Sequence, residues 1–335
     1  MLHIHNGDSA ANIAKRSSLS GEHVAFREAL IEGPTPTEFK DSKDAWRVMR
    51  AQHLSSEYGV DLVACQQELQ VQENKLASFP DHDEVVLWFE HDLFCQVHLI
   101  YLLDWFGREE LGTTRLSLIC IDKFPGREKF RGLGELTPDE LASLFPTRQE
   151  VTRGQLTLAA SAWEAYCSAD PTDLQRVLPA DTSKLPFLNA AFLAHLERFP
   201  STKNGLGRIE NRALQLIANG VERFSDLFMK FGEAEPVYGF GDAQFWIALR
   251  RLAAGKQPLL TVDGLGEEEI DRQLLTPEIA RQASFRITET GHAVLNDEVD
   301  FVSLSRPDFW LGGVHLSGVR DLWRWDEKTQ TIVSS

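Results

Sequence analysis

Residues Leu87–Gln96 read LWFEHDLFCQ. A run of bulky apolar side chains, beginning with DEVVLWFE, ends in Glu90, His91 and Asp92, and apolar residues then resume at once. The upstream run has the length and β-branched and aromatic content of a strand. Downstream, Leu93, Phe94, Val97, Ile100 and Tyr101 recur at helical spacing, and Gly107 is a fitting stop. The three ionisable residues therefore belong at the carboxyl end of a strand and the amino end of a helix.

The flanking sequence repeats this pattern. LHIHNGD reads as a first strand and turn, SAANIAKRSS as a helix with Asp8 or Ser9 as N-cap, EHVAFREAL as a second strand, and TRLSLICID as a fourth. IEGPTPTEF breaks the chain, and two helices are expected near 43–57 and 60–78. Strands alternating with helices predict a mostly parallel, Rossmann-like sheet covered on both faces, spanning residues 1–150. Its strands end in His5, Asn6, Gly7, Asp8 and Ser9, in Arg27 and Glu28, in Glu90–Asp92, and in Asp122 and Lys123. In open α/β sheets ligands bind in the crevice outside the strands' carboxyl ends.

The chemistry of that edge follows from residue type. Glu90 is the candidate general base or metal ligand and His91 the proton carrier, with Asp8 and Asp122 as supporting carboxylates. His5, Asn6, Gly7, Ser9, Arg27 and Asp92 would position a ligand, although Asp92 also suits an N-cap. Converging carboxylates would suit a divalent metal such as magnesium. NGDS lacks the full dinucleotide fingerprint, and no Gly-x-Ser-x-Gly elbow supports a nucleophilic serine. In GREKFRGLGEL, Arg127, Lys129 and Arg131 could close over an anion or form a solvated basic loop. TPDEL begins a helix, with Thr137 as N-cap and Glu140 completing a capping box.

Residues 151–200 carry helical spacing between proline breaks and are expected to form a helical bridge. In 201–335, RIENRALQLIANG, FSDLFMKF and GDAQFWIALRRLAAG read as three helices, with PLLTVDG and SFRITETGHAVL supplying strands and a last helix. That order predicts a winged-helix-like module, in which Gln244, Arg250 and Arg251 would face a duplex. The apolar content of the third helix equally suits burial and protein contact. LWRWDEKTQTIV predicts a closing hairpin.

The 335 residues carry a formal net charge of -16, which argues against wholesale electrostatic binding of nucleic acid. Only Pro200 to Lys256 reverses the sign, with eight basic and six acidic residues. Four widely spaced cysteines form no zinc motif and suggest reduced thiols. With no signal-like leader and no long apolar run, a cytoplasmic protein without membrane contact is expected.

HIHNGDSAANI, LWFEHDLFCQ, LGELTPDEL, FPSTKNGLGRIE and FWIALRRLA together resemble the bacterial family of domain of unknown function 1835, over most of the chain. The resemblance implies a bacterial cytosolic protein with an α/β N-terminal domain, and it assigns no activity. The residues themselves lead to two expectations. One is a small anionic or nucleotide-like ligand at the sheet edge, with hydrolase or transferase chemistry. The other is a non-catalytic regulator contacting DNA or a protein through its C-terminal half.

Overall fold

The structure is a computed structural model that describes every residue except 40, 41, 179, 180, 264–269, 271–273 and 335. Five strands form the principal sheet: β1 (Leu2–Asn6), β2 (Glu22–Phe26), β3 (Glu84–Glu90), β4 (Arg115–Ile121) and the short β5 (Gln149–Glu150). Their order is β2-β1-β3-β4-β5. The first four run parallel and β5 antiparallel to β4. The order reverses between β1 and β3, so the crevice between their carboxyl ends is where connecting segments diverge to opposite sides.

Strand β3 is buried along its whole length, which explains its unbroken apolar run. One face presents Leu2, Ile4, Val85, Leu87 and Phe89 to α4 (Leu93–Gly107). On the other, Val86, Trp88 and Ile119 meet Ala10, Ile13 and Ala14 of α1 (Asp8–Ala14) and Leu141 of α5 (Pro138–Ser143). Helices α2 (Lys43–Tyr58) and α3 (Leu62–Ala77) fill the connection from β2 to β3.

Helix α4 has no single apolar stripe, because it is enclosed. The sheet lies on one side, while α6 (Arg153–Tyr166) and α8 (Leu188–Leu196) pack along it from the other. The expected bridge is thus a second helical layer over α4, with α7 (Thr172–Val177) beside α6. One apolar core runs from the sheet through this layer into the helices that follow.

The remaining chain contains α9 (Arg208–Ala218), α10 (Phe224–Ala234), α11 (Asp242–Ala253), β6 (Leu260–Val262), α12 (Pro277–Gln282), β7 (Phe285–Ile287) and α13 (Glu289–Leu295). Strands β6 and β7 pair antiparallel, and Arg223 bridges to Ser284. Part of the segment between them lies outside the described residues. Helix α14 (Phe301–Ser305) and two antiparallel hairpins follow, β8–β9 (Asp308–Leu311, Val314–Ser317) and β10–β11 (Trp323–Asp326, Thr331–Ser334).

Buried ion pairs tie these layers together. Arg50, wholly buried, pairs with Glu28 at 2.8 Å and donates to the carbonyls of Ala29, Glu32 and Pro34. Arg198 donates to the Ile31 carbonyl and to Glu32, both at 2.7 Å. The segment after β2 is therefore fixed by cations from α2 and from the end of α8, which supply donors that solvent cannot reach.

Candidate functional site

Three elements meet at the crevice between β1 and β3. Strand β3 ends in the buried Glu90, and the turn after it places Asp92 as N-cap of α4, accepting the Cys95 backbone N–H at 2.9 Å. The first turn of α4 then aims Cys95 back at the strand end, where its thiol donates to Glu90 Oε2 at 2.7 Å. From β1, Asn6 Nδ2 donates to the Cys95 sulfur at 2.8 Å, while Asn6 Oδ1 lies 2.7 Å from His98 Nδ1. His98 Nε2 accepts the Leu30 N–H at 3.2 Å, so His98 is protonated at Nδ1 and donates to Asn6.

Two further segments cover the crevice. After β4, the loop returns so that the Leu133 N–H donates to Glu90 Oε1. A Cβ on Gly132 would stand 2.9 Å from the same oxygen, which explains the glycine. Ser9 donates to the Gly134 carbonyl at 3.3 Å and anchors this loop to α1. From the C-terminal half, Gly239 at φ 63° sits directly on Asp92, where a Cβ would overlap the carboxylate.

Burial dominates the electrostatics. Desolvation, reinforced by the charge of Asp92, raises the Glu90 pKa to about 7, against the opposing hydrogen bonds from Cys95 and Leu133. Burial also raises Asp92, and it pushes the Cys95 thiol well above the ordinary thiol value with help from both carboxylates. A carboxyl that changes charge near neutrality, held at a strand end, can both accept and deliver a proton. Glu90, Asp92 and Cys95 also bring three donor atoms within 4.8 Å of one another. With a thiol in the set, a softer divalent ion would suit these residues better than magnesium.

The other sequence candidates are placed differently. Asp8 is exposed and held by Arg27 through two 2.8 Å hydrogen bonds, which depress its pKa, and Arg27 also reaches Glu68. It does not cap α1; Gly7 takes that position at φ 85° with open space before it. His91 packs edge-on against Phe187, with its Nδ1 buried and without a hydrogen-bond partner among the described residues. Asp122 is exposed.

His5 faces away from the crevice, because strand alternation puts it on the α1 side with His3 while Asn6 turns the other way. There it is fully buried, 3.1 Å from His23 Nδ1 and stacked on Trp88. The basic loop is engaged internally: Arg127 pairs with Glu140, and Lys129 and Arg131 with Glu233. Gln244 donates to the Tyr58 hydroxyl, Arg250 pairs with Glu57, and Arg251 pairs with Glu32 and Glu210 while lying over Phe309. The third helix thus turns these side chains toward the rest of the molecule rather than outward to a duplex.

Sequence reasoning missed Cys95, His98, Leu133 and Gly239. Cys95 had a local signal, since the third helical position after an N-cap lies over the preceding strand end. The others are joined to the crevice only by the tertiary fold. No model of a known protein family matches the chain, and no curated protein matches it.

Proposed function

We propose that the edge formed by Asn6, Gly7, Glu90 and Asp92 binds a small nucleotide-like ligand, and that Glu90 exchanges a proton with it in a hydrolase- or transferase-type reaction. The observation that carries this reading is the buried Glu90 carboxyl at the reversal point of the sheet, with its pKa raised to about 7. Its present donors, Cys95 and the Leu133 N–H, are the groups a ligand hydroxyl or amino group would replace. Arg27 and the open space before Gly7 would receive an anionic end. Kinship with the domain 1835 family and a cytoplasmic setting belong to the same proposal; among the described residues, no helix is long and apolar enough to cross a membrane.

Thermal denaturation of wild type and Glu90→Gln against nucleotides, phosphorylated metabolites and divalent metals tests it, since a ligand bound to the native state raises its apparent stability. The expected result is a stabilising compound whose effect is lost in the variant. A stabilising compound that acts equally on both proteins would remove Glu90 from the site, and no response to any compound would count against the reading itself.

A second reading draws on α9, α10, α11 and the β6–β7 pair, whose order, with the Arg223–Ser284 bridge, supports a winged-helix-like module. The internal ion pairs of Arg250 and Arg251 favour a protein partner over a duplex for such a regulator. Salt-sensitive duplex binding that weakens on replacing these arginines would reverse that preference.

A further inference from the structure

A cavity of about 390 Å³ lies far along the chain from the sheet edge, between the start of α9, the end of α11 and the segment from α14 to β8. Its size falls in the small-molecule range of about 300–1,000 Å³. Phe301, Val302, Pro307 and Phe309 form apolar walls. Charged groups stand at defined positions among them, and their pairing is uneven.

Glu210, on the first turn of α9, is only 9% exposed and lines the cavity. Its carboxylate has a 3.6 Å ion pair with Arg251, the more distant charge of Arg198 and the interaction with its own backbone N–H, but no hydrogen bond to another side chain among the described residues. Arg251 is shared, since its other guanidinium nitrogen lies 3.4 Å from Glu32. Burial accordingly raises the Glu210 pKa. A buried carboxylate so lightly satisfied has capacity for another cationic donor.

The opposite charge is available at the rim. Arg306 is exposed, lines the same cavity and has no salt-bridge partner among the described residues. Asp308 beside it is turned to His315 at 2.7 Å. One under-paired carboxylate, one exposed guanidinium at the rim and apolar walls line the same cavity, and together they define a complementary ligand.

We propose that this cavity binds a small zwitterion of the amino-acid class, with its ammonium on Glu210, its carboxylate on Arg306 and an apolar side chain against Phe301 and Phe309. The ammonium would supply Glu210 with a charge-assisted hydrogen bond, and the guanidinium can hold a carboxylate through two parallel ones. The site is separate from the edge that contains Glu90, so either assignment can fail without the other.

Titration calorimetry on the full chain with phenylalanine, phenethylamine and 3-phenylpropionate, followed by the other standard amino acids, tests it. An amino acid should bind, and removing its ammonium or its carboxylate should weaken binding by about tenfold or more. Glu210→Gln should weaken the zwitterion and the amine but not the carboxylic acid; Arg251 retains Glu32, which favours a folded variant. The exposed Arg306→Gln gives a second readout, weakening the zwitterion and the acid but not the amine. No heat from any amino acid at about 10 mM would overturn the proposal. Equal affinity for the zwitterion and its two truncated analogues, or insensitivity to both substitutions, would do the same.

Discussion

The thiol of Cys95 donates to the Glu90 carboxylate at 2.7 Å while its sulfur accepts from Asn6, so one side chain joins the ends of β3 and β1. The connection lies in a volume from which water is largely excluded. Local hydrogen bonds, rather than hydration, must therefore hold whatever charge Glu90 carries.

Glu90 should make the folded state less stable as the pH rises. Its carboxyl has a pKa near 4.5 when unfolded and about 7 when folded, so the native state holds the proton more tightly. Both states hold the proton below about pH 4.5, and the penalty grows as the pH rises from there toward about 7. Glu90→Gln should flatten this slope and be the more stable protein at pH 8, as measured by urea denaturation at several pH values. An unchanged slope would show that another group dominates.

The histidines behind β1 should act in the opposite direction. His3 accepts the Trp88 indole N–H at 3.1 Å and is depressed to about 4 by burial, with His5 and His23 also lowered chiefly by burial. Their stabilising contribution is present above about pH 6.5 and is lost as the pH falls toward the depressed values. His3→Gln, which keeps an acceptor for Trp88, should reduce the loss of stability between about pH 6.5 and 4 in acid-denaturation curves. A variant as acid-sensitive as the wild type would exclude His3 from that transition.

Two glycine substitutions should separate space from backbone strain. Gly7 and Gly239 both have positive φ, yet a Cβ at Gly7 meets no heavy atom within 4 Å, whereas one at Gly239 collides with Asp92. Gly7→Ala should cost about 1 kcal/mol. Gly239→Ala should cost about 2–4 kcal/mol, since the backbone term and the collision combine. Comparable losses in thermal denaturation would mean that residue 239 moves off Asp92 at little cost.

Removing Arg50 should be severe. Arg50→Met leaves the buried Glu28 carboxylate and several carbonyls without their donor, with an expected loss of about 3–5 kcal/mol in urea denaturation. Adding Glu28→Gln should recover part of that loss. If the double variant is no better than the single, the carbonyl contacts rather than the ion pair account for the effect.

Regular elements were legible where one physical pattern acted alone. The apolar run ending at Glu90, the cap at Asp92 and the capping box at Thr137 are local chemistry, and the structure contains all three. Helix α4 was legible as a helix, and its apolar residues on every side fit its enclosure, but the sequence does not name α6 and α8 as the helices that enclose it. The same holds at the crevice. Glu90 and Asp92 could be placed at its mouth, whereas the Leu133 N–H and Gly239 arrive through long-range folding. The outward reading of Arg250 and Arg251 overlooked partners on distant segments, at Glu57, Glu32 and Glu210.

The contact of Gly239 with Asp92 also bears on the order in which the protein is made. All five strands of the sheet leave the ribosome before residue 239 is translated. Until then the lip above Asp92 is incomplete, and the nascent chain presents the crevice carboxylates to water on that side. Synthesis of the later half therefore completes the cover over an edge whose strands have already emerged.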